Sequence, residues 1–162
     1  MPVTPRQSVV PFTLTGTGSG VAQTITVEGA AKHTFRTDAY PAFGGADSAP
    51  SPLFYVLAAL TSCNQVTGSL VAKDLGLSLG EWSFRIQGDL DTAVLVGGAD
   101  GNANFHRVVV QVSVQTDATP EQFERLASET ERRCPVTQMF ARSGLDLSST
   151  WQREELAVDD VA

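Results

Sequence analysis

The chain changes its hydrophobic rhythm several times, and each change marks an element. PFTLTGTGSGVAQTITVEGAAKHTFRTDA alternates apolar and polar positions, the period of two that a strand shows when one face meets a core. GTGSG and EGAAK interrupt the alternation and predict hairpin connections. GTGSG is followed by the strand-like TITV and not by a helix, so it reads as a turn and not as a phosphate loop.

YPAFGGADSAPSP is a Gly/Pro-rich loop that ends in a helix start, with Ser51 as N-cap and Pro52 at the first helical position. LFYVLAALTSCNQVTGSLVAKDLGL then predicts a helix to about Lys73–Leu75, with Gly76 as C-cap. Leu53, Val56, Leu57, Leu60, Cys63, Val66, Leu70 and Val71 recur at three and four, while Phe54, Tyr55, Ala58 and Ala59 extend the apolar surface around the helix. A helix apolar nearly all round is covered on more than one side. One small sheet covers a single side. The rest calls for a second helix or a second chain.

EWSFRIQGDLD sets Trp82, Phe84 and Ile86 on one face and Ser83, Arg85 and Gln87 on the other, a strand with Gly88 as a candidate bulge. TAVLVGGADGNAN reads as an exposed, mobile hairpin loop. FHRVVVQVSVQTD predicts a strand with Val108, Val110, Val112 and Val114 inward. Thr119-Pro120-Glu121-Gln122 is a capping box that opens a helix through Phe123, Leu126 and Thr130. Pro135 disfavours helical geometry at Cys134 and starts a fresh short helix, PVTQMFARSG. DLSSTWQREEL closes as a last strand. The order predicts an α+β fold with mostly antiparallel sheets, in one domain spanning residues 1–162.

Charge narrows the function classes. Eleven Lys+Arg against eighteen Asp+Glu give a net charge of −7, which offers no basic footprint for nucleic acid or an anionic membrane. MPVTPRQSVVPFTL has no apolar h-region, and the longest apolar run is broken by Thr61, Ser62, Asn64 and Gln65. A cytoplasmic protein is therefore expected. In that compartment a structural disulfide is unusual, so Cys63 and Cys134 are either free thiols or a redox pair.

Taken alone, the two cysteines read differently. Cys63 lies about three turns into its helix, beyond the reach of the N-terminal dipole, where burial silences a thiol. Cys134 stands where an N-cap would be, and free backbone N–H groups there would stabilise a thiolate. Metal binding is the rival use, but Cys63, Cys134, His33 and His106 are scattered singly without zinc-like spacing. Both histidines read as solvated strand residues. Neither a metal nor a cofactor is expected. Tyr40, Phe43, Phe54 and Tyr55 suit core or interface packing, or the mouth of a site.

HTFRTDAYPAFGGADSAPSP, the helix bearing Cys63, then GDLD, then VQVSVQTDATPEQFERL, and finally Cys134-Pro135, occur in an order that resembles the OsmC/Ohr superfamily of osmotically inducible and organic hydroperoxide resistance proteins. The resemblance runs from about Gly20 to Arg153; its specificity lies in the ordered set with both cysteines, not in any one piece. It implies an intertwined homodimer with two long central helices enclosed by curved sheets. It also implies a thiol-dependent peroxidase. Cys63 would reduce an organic hydroperoxide and become a sulfenic acid, Cys134 would condense with it to a disulfide, and a dithiol reductant would reopen that bond. An arginine from the strand region before the helix would ionise Cys63, and Arg36 matches, with Arg107 and Arg142 as substitutes.

One departure stands out. Family peroxidases carry a Glu in the first turn of the cysteine helix to orient that arginine, and here the positions hold Leu53 and Phe54. Asp38 and Asp47 are the nearby carboxylates that could replace it. Alternatives are thus a noncatalytic relative that binds a small apolar ligand at the dimer interface, or a slow redox sensor using the same disulfide.

Overall fold

The computed structural model describes residues 9–156. Its elements run β1 (Thr13–Ser19), β2 (Ala22–Glu28), β3 (His33–Thr37), α1 (Pro52–Leu75), β4 (Leu79–Leu90), α2 (Thr92–Gly97), β5 (Phe105–Thr116), α3 (Pro120–Arg133), α4 (Pro135–Arg142) and β6 (Asp146–Glu154). The chain divides into two compact units between Tyr55 and Val56, inside the first turns of α1.

In the first unit, β1, β2 and β3 form an antiparallel meander. GTGSG lies largely within β1, and its last residue, Gly20, makes the turn into β2. All seven residues of β1 are exposed, and in β2 and β3 only Thr37 is buried. The loop that follows is organised by Asp38. Its carboxylate accepts from the backbone N–H groups of Ala39, Ala46 and Ser48 at 2.8, 3.2 and 2.9 Å, and from the Ser48 hydroxyl at 2.8 Å. Ser51 caps α1 by accepting from the Leu53 N–H.

The second unit is built on the three-stranded sheet β4-β5-β6, with β5 in the centre. Register explains its inner face. Val114, Val112, Val110 and Val108 of β5 stand opposite Trp82, Phe84, Ile86 and Gly88 of β4, so both period-two patterns turn the same way. All four valines are buried. They and α1 enclose two apolar clusters, one around Leu60, Val110 and Phe140, the other around Val71, Val114 and Leu126. Gly68 lets α1 approach the sheet closely, since a Cβ there would meet the Trp82 ring at 2.6 Å.

Three details differ from the sequence reading. The irregularities in β4 fall between Leu79 and Trp82 and between Asp89 and Leu90, not at Gly88, which stays paired with Val108 beneath the Phe105 ring. The expected hairpin loop contains α2, capped by the Asp91 side chain on the Ala93 N–H and closed by Gly98. Finally, β6 pairs with β5 in parallel, reached by a crossover through α3 and α4.

Candidate functional site

The thiol site assembles in the second unit from α1 and the junction of α3 with α4. The capping box is formed as the sequence predicts, with reciprocal bonds between Thr119 and Gln122. It fixes the start of α3; Pro135 fixes the end. Cys134 is forced to extended geometry, φ −72° and ψ 114°, and closes one helix while opening the next. Its N–H donates to the Thr130 carbonyl at 2.8 Å, and its sulfur accepts from the Thr137 N–H at 3.4 Å.

Cys63 and Cys134 are both free thiols and lie close enough to shift each other's ionisation. Cys134 is fully buried, with 0% of its surface exposed, whereas Cys63 is half-buried. Burial pushes the Cys63 thiol up, and its contact with Cys134 adds to the rise; the Val136 N–H and Thr67 hydroxyl oppose it without prevailing. Burial also acts to raise the Cys134 thiol. There it is outweighed by the Thr137 hydroxyl and N–H, by the Cys63 thiol and by the Val136 N–H, and Cys134 lies below its ordinary value. Between the two, Cys134 holds negative charge more readily.

Two residues missed in the sequence support this corner. Thr137 and Asn64 are both buried, and the Thr137 hydroxyl lies 3.0 Å from the Asn64 Oδ1. Their signal was an amide beside Cys63 in an apolar helix and a hydroxyl on the first turn after Cys134. Both residues line a cavity of about 630 Å³ together with Leu60, Val110, Leu147, Glu131 and Gln138. Neither cysteine lines it.

Arg36 belongs to β3 in the first unit and is exposed; among the described residues it makes no ion pair. The Tyr55 hydroxyl donates to its backbone carbonyl at 2.7 Å, and the Tyr55 ring lies 5.0 Å from Phe35. This ties β3 to the first turn of α1. Asp38 is engaged by the loop, and those bonds, led by the Ser48 N–H and hydroxyl, hold its carboxyl down to about 2. It does not brace Arg36. Asp47 sits at φ 52° in the same loop, its N–H donating to the Ala39 carbonyl. Arg107 pairs with Asp146 at 3.7 Å and Arg142 with Gln138 at 3.3 Å, both on the exposed surface. His33 and His106 are exposed on strands. The Phe54 ring, 53% exposed, meets Tyr40 edge-on at 6.5 Å.

Along α1 in the second unit, Val56, Ala59, Cys63, Val66 and Leu70 follow one another at alternating three- and four-residue steps. Every member except half-buried Cys63 is exposed, Val66 at 63%. That is the spacing of a helix seam that packs against another helix.

A family model described as OsmC-like protein matches residues 45–149. Among curated proteins no sequence matches the chain. Solved structures match its fold. An OsmC-like protein from Mycoplasma pneumoniae superposes with a TM-score of 0.69 at 14% identity, covering 88% of this chain and 98% of that one. An organic hydroperoxide resistance protein from Elizabethkingia anophelis gives 0.68 at 18% identity, covering 91% and 99%. The organic hydroperoxide resistance protein OhrB of Bacillus subtilis gives 0.57 at 19% identity, covering 88% and 98%. No helix among the described residues is long and apolar enough to cross a membrane.

Proposed function

The chain belongs to the OsmC-like protein family, and from that premise we propose that it is a thiol-dependent peroxidase of organic hydroperoxides, one domain per chain, working as a cytoplasmic homodimer. The observation that carries this reading is the proximity of Cys63 and Cys134, distant in sequence, as free thiols that shift each other's ionisation. The Cys63 thiolate attacks the outer peroxide oxygen; the O–O bond breaks and the alkoxide leaves as an alcohol after taking a proton. Cys63 is then a sulfenic acid. The Cys134 thiolate attacks the Cys63 sulfur, hydroxide departs as water once protonated, and a dithiol reductant opens the resulting disulfide. Arg36 is the cation proposed to favour the Cys63 thiolate.

The dimer is supported by the apolar strip of α1 and by the bare first sheet, since among the described residues neither has cover within its own unit. A folded monomer at low concentration in sedimentation runs would sink that part.

The departure at the helix start has a kinetic signature. Because the Cys63 thiol is pushed up, its thiolate fraction at neutral pH is small, and hydroperoxide reduction should accelerate as pH rises from about 6 to about 9. Phe54→Glu should raise the neutral-pH rate, and Arg36→Met should abolish that gain. In Cys134→Ser a sulfenic acid should be trappable on Cys63. Trapping it on Cys134 in Cys63→Ser, with hydroperoxide consumption retained, would reverse the roles.

A second reading draws on the exposed Leu53 and Phe54 where the braced arginine would be expected. Here the protein binds a small apolar ligand at the dimer interface, or serves as a slow redox sensor. Failure of every variant to consume hydroperoxide selects it.

A further inference from the structure

A thiol pair of this kind has two sulfurs that a reductant could strike, and the surroundings of the two are unequal. Displacement at a disulfide needs the attacking thiolate in line with the bond, on the far side of the struck sulfur. Cys134 is enclosed by its own chain at 0% exposure, so assembly with any partner can only bury it further. Cys63 alone keeps some exposure. The better leaving sulfur is the one whose thiolate is better held, and again the asymmetry favours Cys134 as the group that departs: the Thr137 N–H already points at its sulfur.

Asn64 gives this arrangement a particular chemistry. It is buried at 4% exposure on the core face of α1, where Thr67 is the other buried polar side chain, and its partner Thr137 is buried at 7%. A threonine has one hydroxyl proton. With both cysteines as free thiols, that proton goes to the Asn64 Oδ1. With Cys134 a thiolate, the hydroxyl could turn to the sulfur that the Thr137 N–H already meets, and Asn64 would then supply a donor to the vacated oxygen. A primary amide carries both an acceptor and a donor and satisfies either state by turning over. A carboxylate could accept only.

We propose that Asn64 and Thr137 are positioning residues that reorient with the redox state to hold Cys134 as the departing thiolate, so that reductant attack on the disulfide lands on Cys63. The step balances: the incoming thiolate bonds to the Cys63 sulfur, the Cys63–Cys134 bond breaks, and its electron pair leaves on Cys134. A second thiol then releases Cys63. The inference rests on the redox-pair reading above but not on hydroperoxide being the oxidant.

The test therefore forms the disulfide with diamide. The oxidised protein is opened with excess 2-mercaptoethanol, quenched in acid, and the mixed disulfide is located by peptide mass spectrometry. It should sit on Cys63. Thr137→Val and Asn64→Asp should each slow opening about tenfold at neutral pH, the loss of one hydrogen bond to a charged sulfur, while Thr137→Ser rescues the rate. In a Cys63→Ser background, the ultraviolet thiolate absorbance of Cys134 should titrate at higher pH with Thr137→Val than with Thr137→Ser. A mixed disulfide on Cys134, or opening equally fast in the valine and serine variants, overturns the proposal. Failure of diamide to join the two cysteines sinks it together with the redox-pair reading. Exchange at Cys63 that depends on Thr137, in a protein that consumes no hydroperoxide, supports it and sinks only the peroxidase.

Discussion

The two three-stranded sheets share a strand count and little else: strands of 5 to 7 residues make the first, strands of 9 to 12 the second. The β4-β5-β6 sheet lays an unbroken row of buried valines against α1 and carries two apolar clusters. The β1-β2-β3 sheet pairs its strands in good register yet buries only Thr37, and the polar order around it comes from Asp38. Backbone pairing is thus common to both, and burial separates them. Three strands need a covered apolar face to be stable. The second unit contains one; among the described residues of the first unit, that sheet has none.

The aromatic residues make this difference measurable, because both tryptophans, Trp82 and Trp151, lie in the second unit and both tyrosines, Tyr40 and Tyr55, in the first. The largest effect is expected in the second. Leu126→Ala removes a fully buried side chain and should cost about 3 kcal/mol, read as a shift of the tryptophan transition in urea. A loss below about 1 kcal/mol would mean that this core is looser than its burial implies.

Next comes the exposed apolar strip of α1 in the second unit. Val66→Glu places a charge on the α1 strip and should weaken self-association by roughly 30-fold, about 2 kcal/mol, in sedimentation equilibrium. Unchanged association would move the interface off this helix.

Acid should separate the units by a smaller margin. The Asp38 carboxyl, near 3.8 when free, is held to about 2 in the fold. Its contribution is therefore complete above about 3.8 and is lost as pH falls toward 2. The tyrosine signal should fade in that window ahead of the tryptophan signal, and Asp38→Asn should remove the difference. Coincident loss of both signals in the unsubstituted protein would join the two units into one cooperative block.

The smallest effect is Tyr55→Phe, which deletes the bond to the Arg36 carbonyl and should cost about 1 kcal/mol, visible in hydrogen exchange along β3. Faster exchange in β5 instead would place the tether's influence in the wrong sheet.

Much of the scaffold was legible in the sequence because local signals and burial agreed. Ser51-Pro52 and Gly76 bound α1, the alternating valines face inward, and Thr119 to Gln122 cap α3. The misses have other causes. Within α2, Val94, Leu95 and Val96 form a short run without helical period, so only the Asp91 cap and Gly98 mark it. The parallel pairing of β6 is a choice among distant partners that no local pattern records. At the site, the cap position of Cys134 could be read from Pro135. The bond between Asn64 and Thr137 could not, because it depends on where α1 and α4 meet.

That parallel pairing also orders events during synthesis. A hairpin could close as soon as its second strand emerged, but β6 reaches its place beside β5 only after α3 and α4 have been made and laid across. The ribosome therefore delivers Cys63 well before the strand that completes the sheet beneath the crossover carrying Cys134. For that interval the nascent chain exposes an unpartnered thiol, and non-local closures of this type are slow. Closing the second sheet is thus left to the end of synthesis.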